Sequence, residues 1–586
     1  MSCGCAAVLE KIMNRDEPSS ASIVERQADI TPALAGVGPP LLQRLYAGRG
    51  VRTADELDYG LKGLPHFSGL RGIDTASELV DVTMQGGHRI VVVGDFDADG
   101  ATSTALVCDA LEAMGASRVS YFLPHRARHG YGLSPAVVEA IGAGAPGDLI
   151  ITVDNGIASI AGVAAAQRAG WRVLVCDHHL PGDTLPDAEA IVNPNQPGCE
   201  FVGKALAGVG VAFYLMAAVR ARVARSEPQR PLPRLSDYLD LVAIGTVADV
   251  VRLDHLNRML VSQGLRRIRR GLARPGIAAL IEVAGRDAAR LNAADIGFAV
   301  GPRLNAAGRL EDMSIGVACL RARDAASARA TASELAAINR QRQSVQRRMQ
   351  GEADAALEAL ERSPAERAAL VVHSDDWHEG IVGLIASRLR ERHGRPVVAF
   401  APGANGRLKG SARSITGLHI RDALAAVDAR HPGLIDQFGG HAQAAGLVLS
   451  PDAVDAFEQA LEATVAQRLT PDMLSPDIVT DGSLAAAELD LETAKLLEAS
   501  GPWGNGFEEP LFHGLFEVVS QRIVGERHLK LEVRHLHADH SIEAMVFNQA
   551  DLLETGAIYR LVYRLAVNVF RERMSANLIV NAIRAD

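Results

Sequence analysis

Three aspartates at alternate positions, Asp95, Asp97 and Asp99, have the types and spacing that most directly indicate chemistry in this chain. Gly100 and two hydroxyl residues follow within four positions. Three carboxylates this close together repel one another, and a bound cation is the natural way to hold them. The alternative is a solvated acidic loop in which an aspartate caps the next helix. The spacing therefore indicates a metal site or a helix cap.

The acidic stretch follows an apolar run, and the same arrangement occurs twice more. The run 90–93 precedes Asp95, the run 149–153 ends at Asp154, and the run 171–176 ends at Asp177, His178 and His179. Continuous apolar runs that alternate with helical stretches predict buried strands of a doubly wound parallel α/β sheet. Such sheets bind ligands at the carboxyl ends of their strands. We therefore expect these side chains to meet at one edge of the sheet.

The expected ligand set contains carboxylates and imidazoles but no thiolate, which suits Mn²⁺ or Mg²⁺ better than a structural zinc. More than three carboxylates exceed the need of one such ion and predict a two-metal site with a bridging aspartate, for which Asp154 is the candidate. Asp177 is expected to orient a histidine instead of binding metal. The candidate ligands are Asp97, Asp99, Asp154, His178 and Asp249, with Asp95 and His179 as possible additions.

Two segments carry basic residues that could hold phosphate. Residues 301–309 are interpreted as a turn-rich loop that presents Arg303, Asn305 and Arg309. Residues 124–132 are interpreted as a second loop, with Arg126 and with Tyr131 as a base-stacking ring. The alternative is that both are ordinary surface loops.

The 586-residue chain is too long for one core. We expect an N-terminal cap (1–75), a catalytic α/β domain (76–324), a long helix (325–362), a second α/β domain (363–470) and an OB-like barrel (477–586). Residues 471–476 are interpreted as a linker and 410–413 as a turn. The predicted barrel strands are 515–519, 528–534, 541–547 and 558–567.

Composition restricts the surroundings in which the protein works. The net charge is −10, so a nucleic-acid partner requires local basic patches. No apolar run is long enough for a membrane span, and the N-terminus lacks a secretory signal pattern. The cysteines do not have zinc-site spacing and suit a reducing, cytoplasmic location. They are Cys3, Cys5, Cys108, Cys176, Cys199 and Cys319.

Taken together, the motifs resemble a known superfamily. Asp-Phe-Asp-Ala-Asp-Gly (95–100), Asp-His-His (177–179) and Pro-Arg-Leu-Asn-Ala-Ala-Gly-Arg (302–309) resemble the DHH phosphoesterases. Trp-His-Glu-Gly (377–380) and Gly-Gly-His-Ala-Gln-Ala-Ala-Gly (439–446) resemble the companion DHHA1 domain. With the barrel and the segment 501–510, the chain is similar to the bacterial single-strand-specific 5′→3′ DNA exonucleases of this superfamily.

The resemblance implies a function and a set of site residues. It implies that Asp97, Asp99, Asp154, His178 and Asp249 bind two Mn²⁺ or Mg²⁺ ions, and that single-stranded DNA threads between the two α/β domains. It also implies a single-stranded-DNA-binding protein and a RecQ-type helicase as partners. The candidate substrate contacts are His179, Arg126, Tyr131, Arg303, Asn305, Arg309, His378, Arg413 and His441. Of these, the resemblance implies that His179, Arg303 and Asn305 contact the scissile phosphate and that His179 and Arg303 take part in catalysis with the metal ligands.

Val93 departs from the family pattern, because some members have a histidine there. The first metal site is therefore expected to be ligand-poor, looser, or completed by Asp95 or water. Two alternative functions remain open at this point. A phosphodiesterase acting on short oligonucleotides or cyclic dinucleotides would not need the barrel. An inactive replication-fork scaffold would have lost metal ligands that are present here.

Overall fold

The computed structural model describes residues 22–358, 363–403, 406–474, 477–525, 527–549, 551–571 and 573–585. These form two compact units. The first, which we call the catalytic unit, comprises residues 25–338 and 479–586, and the second unit comprises residues 339–478 with the segment before residue 25. The start of the predicted cap, with Cys3 and Cys5, lies outside the described residues.

A five-stranded parallel sheet is the centre of the catalytic unit, and it confirms the predicted fold class. Its strand order is β3-β2-β4-β5-β6, and Val93 pairs with Thr152 while Val153 pairs with Cys176. Three strand ends therefore lie side by side. A short strand β1 (Ile23–Glu25) precedes β2 (Ile90–Val93), β3 (Val119–Phe122), β4 (Leu149–Val153), β5 (Arg172–Cys176) and β6 (Ala190–Val192).

Helices cover the sheet and enclose its carboxyl edge. Residues 22–75 contribute Leu34 and Leu45 to the same hydrophobic cluster as the sheet strands. The helices are α1 (Pro40–Gly48), α2 (Ile73–Gln85), α3 (Ala98–Ala113), α4 (Pro135–Ile141), α5 (Ile160–Arg168), α6 (Gly208–Ser226), α7 (Leu239–Ala248), α8 (His255–Arg269), α9 (Pro275–Val283), α10 (Gly301–Leu310) and α11 (Ser314–Arg321). Helix α3 packs against both α6 and α7.

The predicted loop at 301–309 is wrong, because these residues form helix α10. Pro302 stands in the first turn, where a proline costs no hydrogen bond. Gly308 serves packing and not turning, since a Cβ there would lie 1.6 Å from the carbonyl oxygen of Phe96. The second predicted loop, 124–132, contains one helical turn, Arg126–His129.

The predicted long helix is α12 (Ala325–Glu358), and the last four predicted residues, 359–362, lie outside the described residues. Ala328, Ala332 and Leu335 belong to the core of the catalytic unit. Met349 and Leu357, further along, are buried in the second unit. No helix in the described ranges is both long enough and apolar enough to span a membrane.

The second unit contains a mixed sheet in the order β10-β11-β9-β8-β7, in which only β7 and β8 pair in parallel. The predicted turn at 410–413 is wrong, because it lies in β9, where Gly410 makes room for the Phe400 ring. Part of the predicted linker, 471–474, forms a helical turn. The elements are β7 (Leu370–His373), α13 (Val382–His393), β8 (Val397–Pro402), β9 (Leu408–Arg413), α14 (Ile420–Arg430), β10 (Gln437–Gly440), β11 (Ala444–Leu449) and α15 (Val454–Ala466).

The C-terminal strands close into a five-stranded barrel in the order β13-β14-β15-β17-β16, which confirms the predicted barrel. The fifth strand, β17, was not predicted. Phe512 and Phe516 of the barrel belong to the same hydrophobic cluster as Leu106 of α3, so barrel and sheet share one core. The elements are β12 (Ile478–Thr480), which pairs with β1, α16 (Leu491–Ala499), β13 (Phe512–Val524), β14 (His528–His535), β15 (Ser541–Val546), β16 (Ile558–Phe570) and β17 (Arg573–Ala585).

Candidate metal centre

The carboxyl ends of β2, β4 and β5 bring the acidic residues and histidines together. Asp95 and Asp97 follow β2, Asp154 follows β4, and His178 follows β5, all on neighbouring strands. Asp249 reaches the same place from the C-terminus of α7. The expected meeting of strand ends at one edge is confirmed.

The side chains form overlapping groups whose ligand atoms lie within 4.8 Å of one another. One group is Asp95, Asp97 and Asp154, and another is Asp99, His178 and Asp249. A third group, Asp154, Asp177, His178 and His179, shares Asp154 with the first and His178 with the second. His178 Nε2 lies 3.1 Å from Asp154 Oδ1 and 3.5 Å from Asp249 Oδ2, so Asp154 lies between the two groups. Asp95 stands with Asp97 and Asp154, which is where a ligand would be needed in the absence of a histidine at Val93.

The donor set fits a divalent metal. Asp154 Oδ1 and His178 Nε2 are both buried, and they face each other at 3.1 Å without the geometry of a hydrogen bond to each other or to any other described residue. Leaving such atoms unsatisfied is costly. Oxygen donors with one imidazole match the preference of Mn²⁺ and Mg²⁺. The geometry thus provides bare ligand atoms where the carboxylates are densest.

Electrostatics point the same way, because the carboxylates suppress one another's ionisation. Burial and the neighbouring Asp97 raise the pKa of Asp99 to about 7. Burial and the charges of Asp99 and Asp97 raise the pKa of Asp249 to about 9. Burial and the adjacent His179 lower the pKa of His178 to about 4, so its ring is neutral, as a metal ligand must be. Cations at this place would restore the ionised carboxylates.

Asp99 is the deepest member of the cluster, and main-chain groups hold it. Its Oδ2 accepts a hydrogen bond from Gly208 N (2.6 Å) and its Oδ1 accepts one from Val209 N (3.0 Å), both at the N-terminus of α6. A helix N-terminus favours an anion. A Cβ on Gly208 would lie 2.6 Å from Asp154. The sequence analysis did not predict this contact between Asp99 and the main chain. The Gly-Val-Gly at 208–210 was the pattern that indicates it.

His179 lies beside the candidate ligands. Asp177 orients its ring, as the sequence analysis predicts. Its Nδ1 lies 2.8 Å from Asp177 Oδ1. Burial alone would lower the pKa of His179, but the hydrogen bond and charge of Asp177 outweigh it and raise the pKa to about 9. Tyr131 Oη lies 3.3 Å from His179 Nε2, and the Tyr131 ring is 52% exposed. The His179 ring can therefore carry a positive charge beside the candidate metal ligands.

Further positioning contacts come from asparagines that the sequence analysis did not name. Asn195 Nδ2 donates to the carbonyl of His178 at 2.7 Å. Asn193 Nδ2 donates to the carbonyl of His179 at 2.9 Å. Together they fix the main chain of both histidines. No local sequence pattern marks these residues, because their partners come from another loop.

Helix α10 forms a wall of the centre. Asn305 Oδ1 accepts a hydrogen bond from Ala98 N at 2.8 Å, so it helps to start α3. Arg303 donates hydrogen bonds to the carbonyls of Ala299 and Val283. Arg309 lies in the last turn of α10. Arg126 stands over the Phe96 ring, with Cζ 4.1 Å from the centroid.

The other candidate substrate contacts lie in the second unit. Arg413 donates to Ser411 Oγ (2.9 Å) and to the carbonyl of Ala412 (2.8 Å). His378 is exposed, and its Nδ1 accepts a hydrogen bond from Gly380 N. His441 is also exposed, just beyond β10.

A cleft lies inside the catalytic unit beside the residues that flank Asp249. It has a volume of about 1110 Å³ and extends from the residues flanking Asp249 to barrel strand β16. Arg266 and Arg269 of α8 line it together with Trp503 and Phe298, and Phe298 is 83% exposed. The lining also includes glutamates, Glu498, Glu508 and Glu509. Guanidinium groups and exposed rings are the residue types that hold single-stranded nucleic acid.

Comparison with known proteins identifies the family. Models of the DHH family N-terminal domain, the DHHA1 domain and the RecJ OB domain match residues 89–246, 367–467 and 480–582. The single-stranded-DNA-specific exonuclease RecJ of Salmonella typhimurium is 50% identical over 566 residues, which cover 95% of this chain and 98% of the relative. The chain belongs to the RecJ family. RecJ of Escherichia coli is equally similar, with 50% identity over the same share of each chain.

Solved RecJ structures have the same fold. RecJ from Thermus thermophilus in complex with Mn²⁺ matches with a TM-score of 0.77 and 31% identity, over 94% of this chain and 77% of that chain. The Mg²⁺ complex matches with a TM-score of 0.73 and 29% identity, over 94% and 76%. The RecJ fold therefore extends over nearly the whole of this chain.

Proposed function

We propose that this chain is a metal-dependent, single-stranded-DNA-specific exonuclease. It hydrolyses phosphodiester bonds from the 5′ end and releases mononucleotides in DNA recombination and repair. The observation that carries the proposal is the cluster of aspartates and His178 at three adjacent strand ends, with bare buried donor atoms. Membership of the RecJ family supports the same activity.

Two Mn²⁺ or Mg²⁺ ions are the proposed cofactor. Asp95, Asp97 and Asp154 would hold one ion, and Asp154, His178 and Asp249 the other. Asp99 belongs at the second ion, where its oxygens are shared with the two main-chain N–H groups of α6. When bound, such a pair supplies a hydroxide nucleophile at neutral pH and stabilises an in-line displacement at phosphorus.

The remaining site residues act on the phosphate. His179, positively charged because of Asp177, donates a hydrogen bond to an oxygen of the scissile group. Arg303 and Asn305 on α10 contact the scissile phosphate, where Arg303 acts in catalysis, and Arg126 and Arg309 contact phosphate oxygens along the strand. Tyr131, exposed beside His179, stacks on a base. His378, Arg413 and His441 are proposed as strand contacts of the second unit.

The strand itself is held mainly by the barrel and by the cleft with Arg266, Arg269 and Phe298. We propose domain boundaries at 1–75, 76–324, 325–362, 363–470 and 477–586, in which the last domain grips DNA. A single-stranded-DNA-binding protein and a RecQ-type helicase are the proposed partners, since both deal with the same strand. The proposed location is the cytoplasm.

Strands labelled at either end test the proposal. With Mn²⁺ or Mg²⁺, 5′-labelled single strands should release labelled mononucleotide at once, whereas 3′-labelled strands should shorten progressively. Chelator should abolish both, and duplex should resist. Release of the 3′ label first would contradict the polarity. Cleavage of only very short oligonucleotides or cyclic dinucleotides would favour the small-substrate alternative.

A further inference from the structure

A turn ahead of the barrel contacts the loop that follows Asp249. The turn comprises residues 503–507, inside the segment 501–510 to which no role has yet been given. Asn505 Nδ2 donates to the carbonyl of Val250 at 2.7 Å, and Leu253 N donates to the carbonyl of Asn505 at 2.7 Å. Two hydrogen bonds therefore join this turn to residues directly after a metal-ligand candidate.

The close approach depends on two glycines. A Cβ on Gly504 would lie 2.6 Å from Leu253 Cδ1, and one on Gly506 would lie 2.5 Å from Arg252 Cγ. Gly506 also has φ +70°, a conformation that glycine adopts without strain. Glycine at both positions lets the main chain of the turn reach the loop.

Aromatic packing holds the turn 503–507 in place. The Trp503 and Phe507 rings stack with centroids 5.1 Å apart, and Phe507 is fully buried. Arg258 of α8 lies over Phe507 at 4.1 Å, and its Nη1 donates to the carbonyl of Leu253. The turn is thus a rigid support against which the loop can rest.

Val250 has a backbone conformation that needs such support. Its φ is +60°, in the left-handed region that a β-branched residue rarely adopts, at the place where a helix usually ends in glycine. The Val250 side chain is 64% exposed, so packing does not hold it there. Strained residues persist only when their surroundings fix them.

We propose that Asn505 is a positioning residue for the metal centre. By holding the carbonyl of Val250, it keeps the end of α7 in the orientation that presents Asp249 to His178. The inference rests on the proposed function, because it assumes that Asp249 binds a metal ion. It also gives the segment 501–510 a role in the reaction, in addition to joining the barrel to the catalytic sheet.

The test measures Mn²⁺ binding without DNA, by titration calorimetry and by loss of the free Mn²⁺ paramagnetic signal. Asn505→Ala should weaken Mn²⁺ binding about tenfold, the lower end for residues that orient metal ligands. Asn505→Asp keeps the volume but removes the donor, and it should have the same effect. Asn568→Ala, in barrel strand β16, is the matched control and should bind Mn²⁺ as the wild type does.

A second background tests the route through Val250. Glycine takes the left-handed conformation without help, so in Val250→Gly protein the added Asn505→Ala change should alter Mn²⁺ affinity by less than about twofold. Thermal unfolding with chelator identifies variants that do not fold.

The outcomes distinguish a failure of the proposed function from a failure of the positioning role of Asn505. Wild-type protein that binds no Mn²⁺ at this site would contradict the proposed function itself. Normal Mn²⁺ binding by Asn505→Ala or by a folded Asn505→Asp, with wild-type binding intact, would overturn the positioning role. An equal loss in both backgrounds would overturn the route through Val250.

Discussion

At the residue scale, the feature that matters most is Asp154, which lies between the two ligand groups. Its φ is +62°, a conformation that asparagine tolerates well. Asp154→Asn should therefore fold normally and lose hydrolysis, because it removes the bridging charge. Rates on 5′-labelled strands at saturating Mn²⁺, with thermal unfolding, check this.

Asp183→Asn is the control for this change, since Asp183 is exposed in the loop after β5. It should cut at the wild-type rate. An Asp154→Asn protein that keeps about a tenth of the wild-type rate or more would show that Asp154 is not the bridge.

The raised carboxyl pKa values of the centre predict how stability depends on pH. In metal-free protein, the pKa values of Asp99 and Asp249 are about 7 and about 9, above the ordinary value of 3.8. Between the ordinary pKa of 3.8 and these raised values, the folded state therefore holds more protons than the unfolded state. The free energy of unfolding falls as the pH rises through this range. The melting temperature in chelator should decrease from pH 6 to pH 9.

Mn²⁺ should reverse that trend, because it binds the ionised carboxylates and binds more tightly as the pH rises. Asp249→Asn should flatten the slope in chelator, since it removes the group with the pKa of about 9. A melting temperature that rises with pH in chelator would contradict the assignment of these carboxyl groups as protonated.

At the element scale, helix α10 holds Arg303, whose charge is expected to stabilise the phosphate in the transition state. Lysine at 303 keeps the charge but not the forked geometry, so Arg303→Lys should slow single-turnover cleavage about a hundredfold and leave strand affinity nearly unchanged. Rapid-mixing cleavage rates and strand-binding titrations for Arg303→Lys and Arg303→Ala measure this.

The hydrogen bonds from Arg303 to the carbonyls of Ala299 and Val283 define the competing explanation. If Arg303 only braces the helix, both variants would melt earlier but cut at the wild-type rate. Arg286 is an exposed arginine before α10, and Arg286→Lys is the control. It should change neither the melting temperature nor the cleavage rate.

Sequence patterns predicted the elements whose causes are local. The apolar runs at 90–93 and 149–153 are long enough to specify buried strands, and parallel pairing then places Asp95 and Asp154 at one edge. Helix α10 was missed because its glycine and proline serve packing and a first turn, and neither role can be distinguished from a loop without the neighbouring elements.

Long-range contacts were equally invisible in the sequence. The main-chain N–H groups that bind Asp99 lie 109 and 110 residues further on, and the side chain that holds the Val250 carbonyl lies 255 residues further on. No periodicity connects such positions. The meeting of the acidic residues and His178 was therefore predictable, whereas most of the groups that orient them were not.

At the scale of the whole molecule, the barrel is expected to hold the strand away from the metal centre. Phe570 is 65% exposed at the end of β16, with Arg571 Cζ 5.2 Å from its ring centroid. Loss of one stacking ring should weaken binding of a strand of about thirty nucleotides about tenfold in Phe570→Ala. Cleavage of a tetranucleotide, which makes fewer contacts outside the metal centre, should change less.

Leu552→Ala removes another exposed apolar side chain of the barrel, 63% exposed, and is the control. Its affinity for the long strand should equal that of the wild type. Equal losses on long and short substrates in Phe570→Ala would show that the residue supports the catalytic core instead of gripping DNA.

The common core of barrel and sheet also determines what an incomplete chain can do. Phe512 and Phe516, more than four hundred residues after β2, fill the same cluster as Leu106. A polypeptide still on the ribosome, or one shortened by a nonsense codon before the barrel, leaves that cluster open to water. Such a chain should melt at a lower temperature than the finished protein, so the barrel contributes to the stability of the catalytic unit as well as to its hold on the strand.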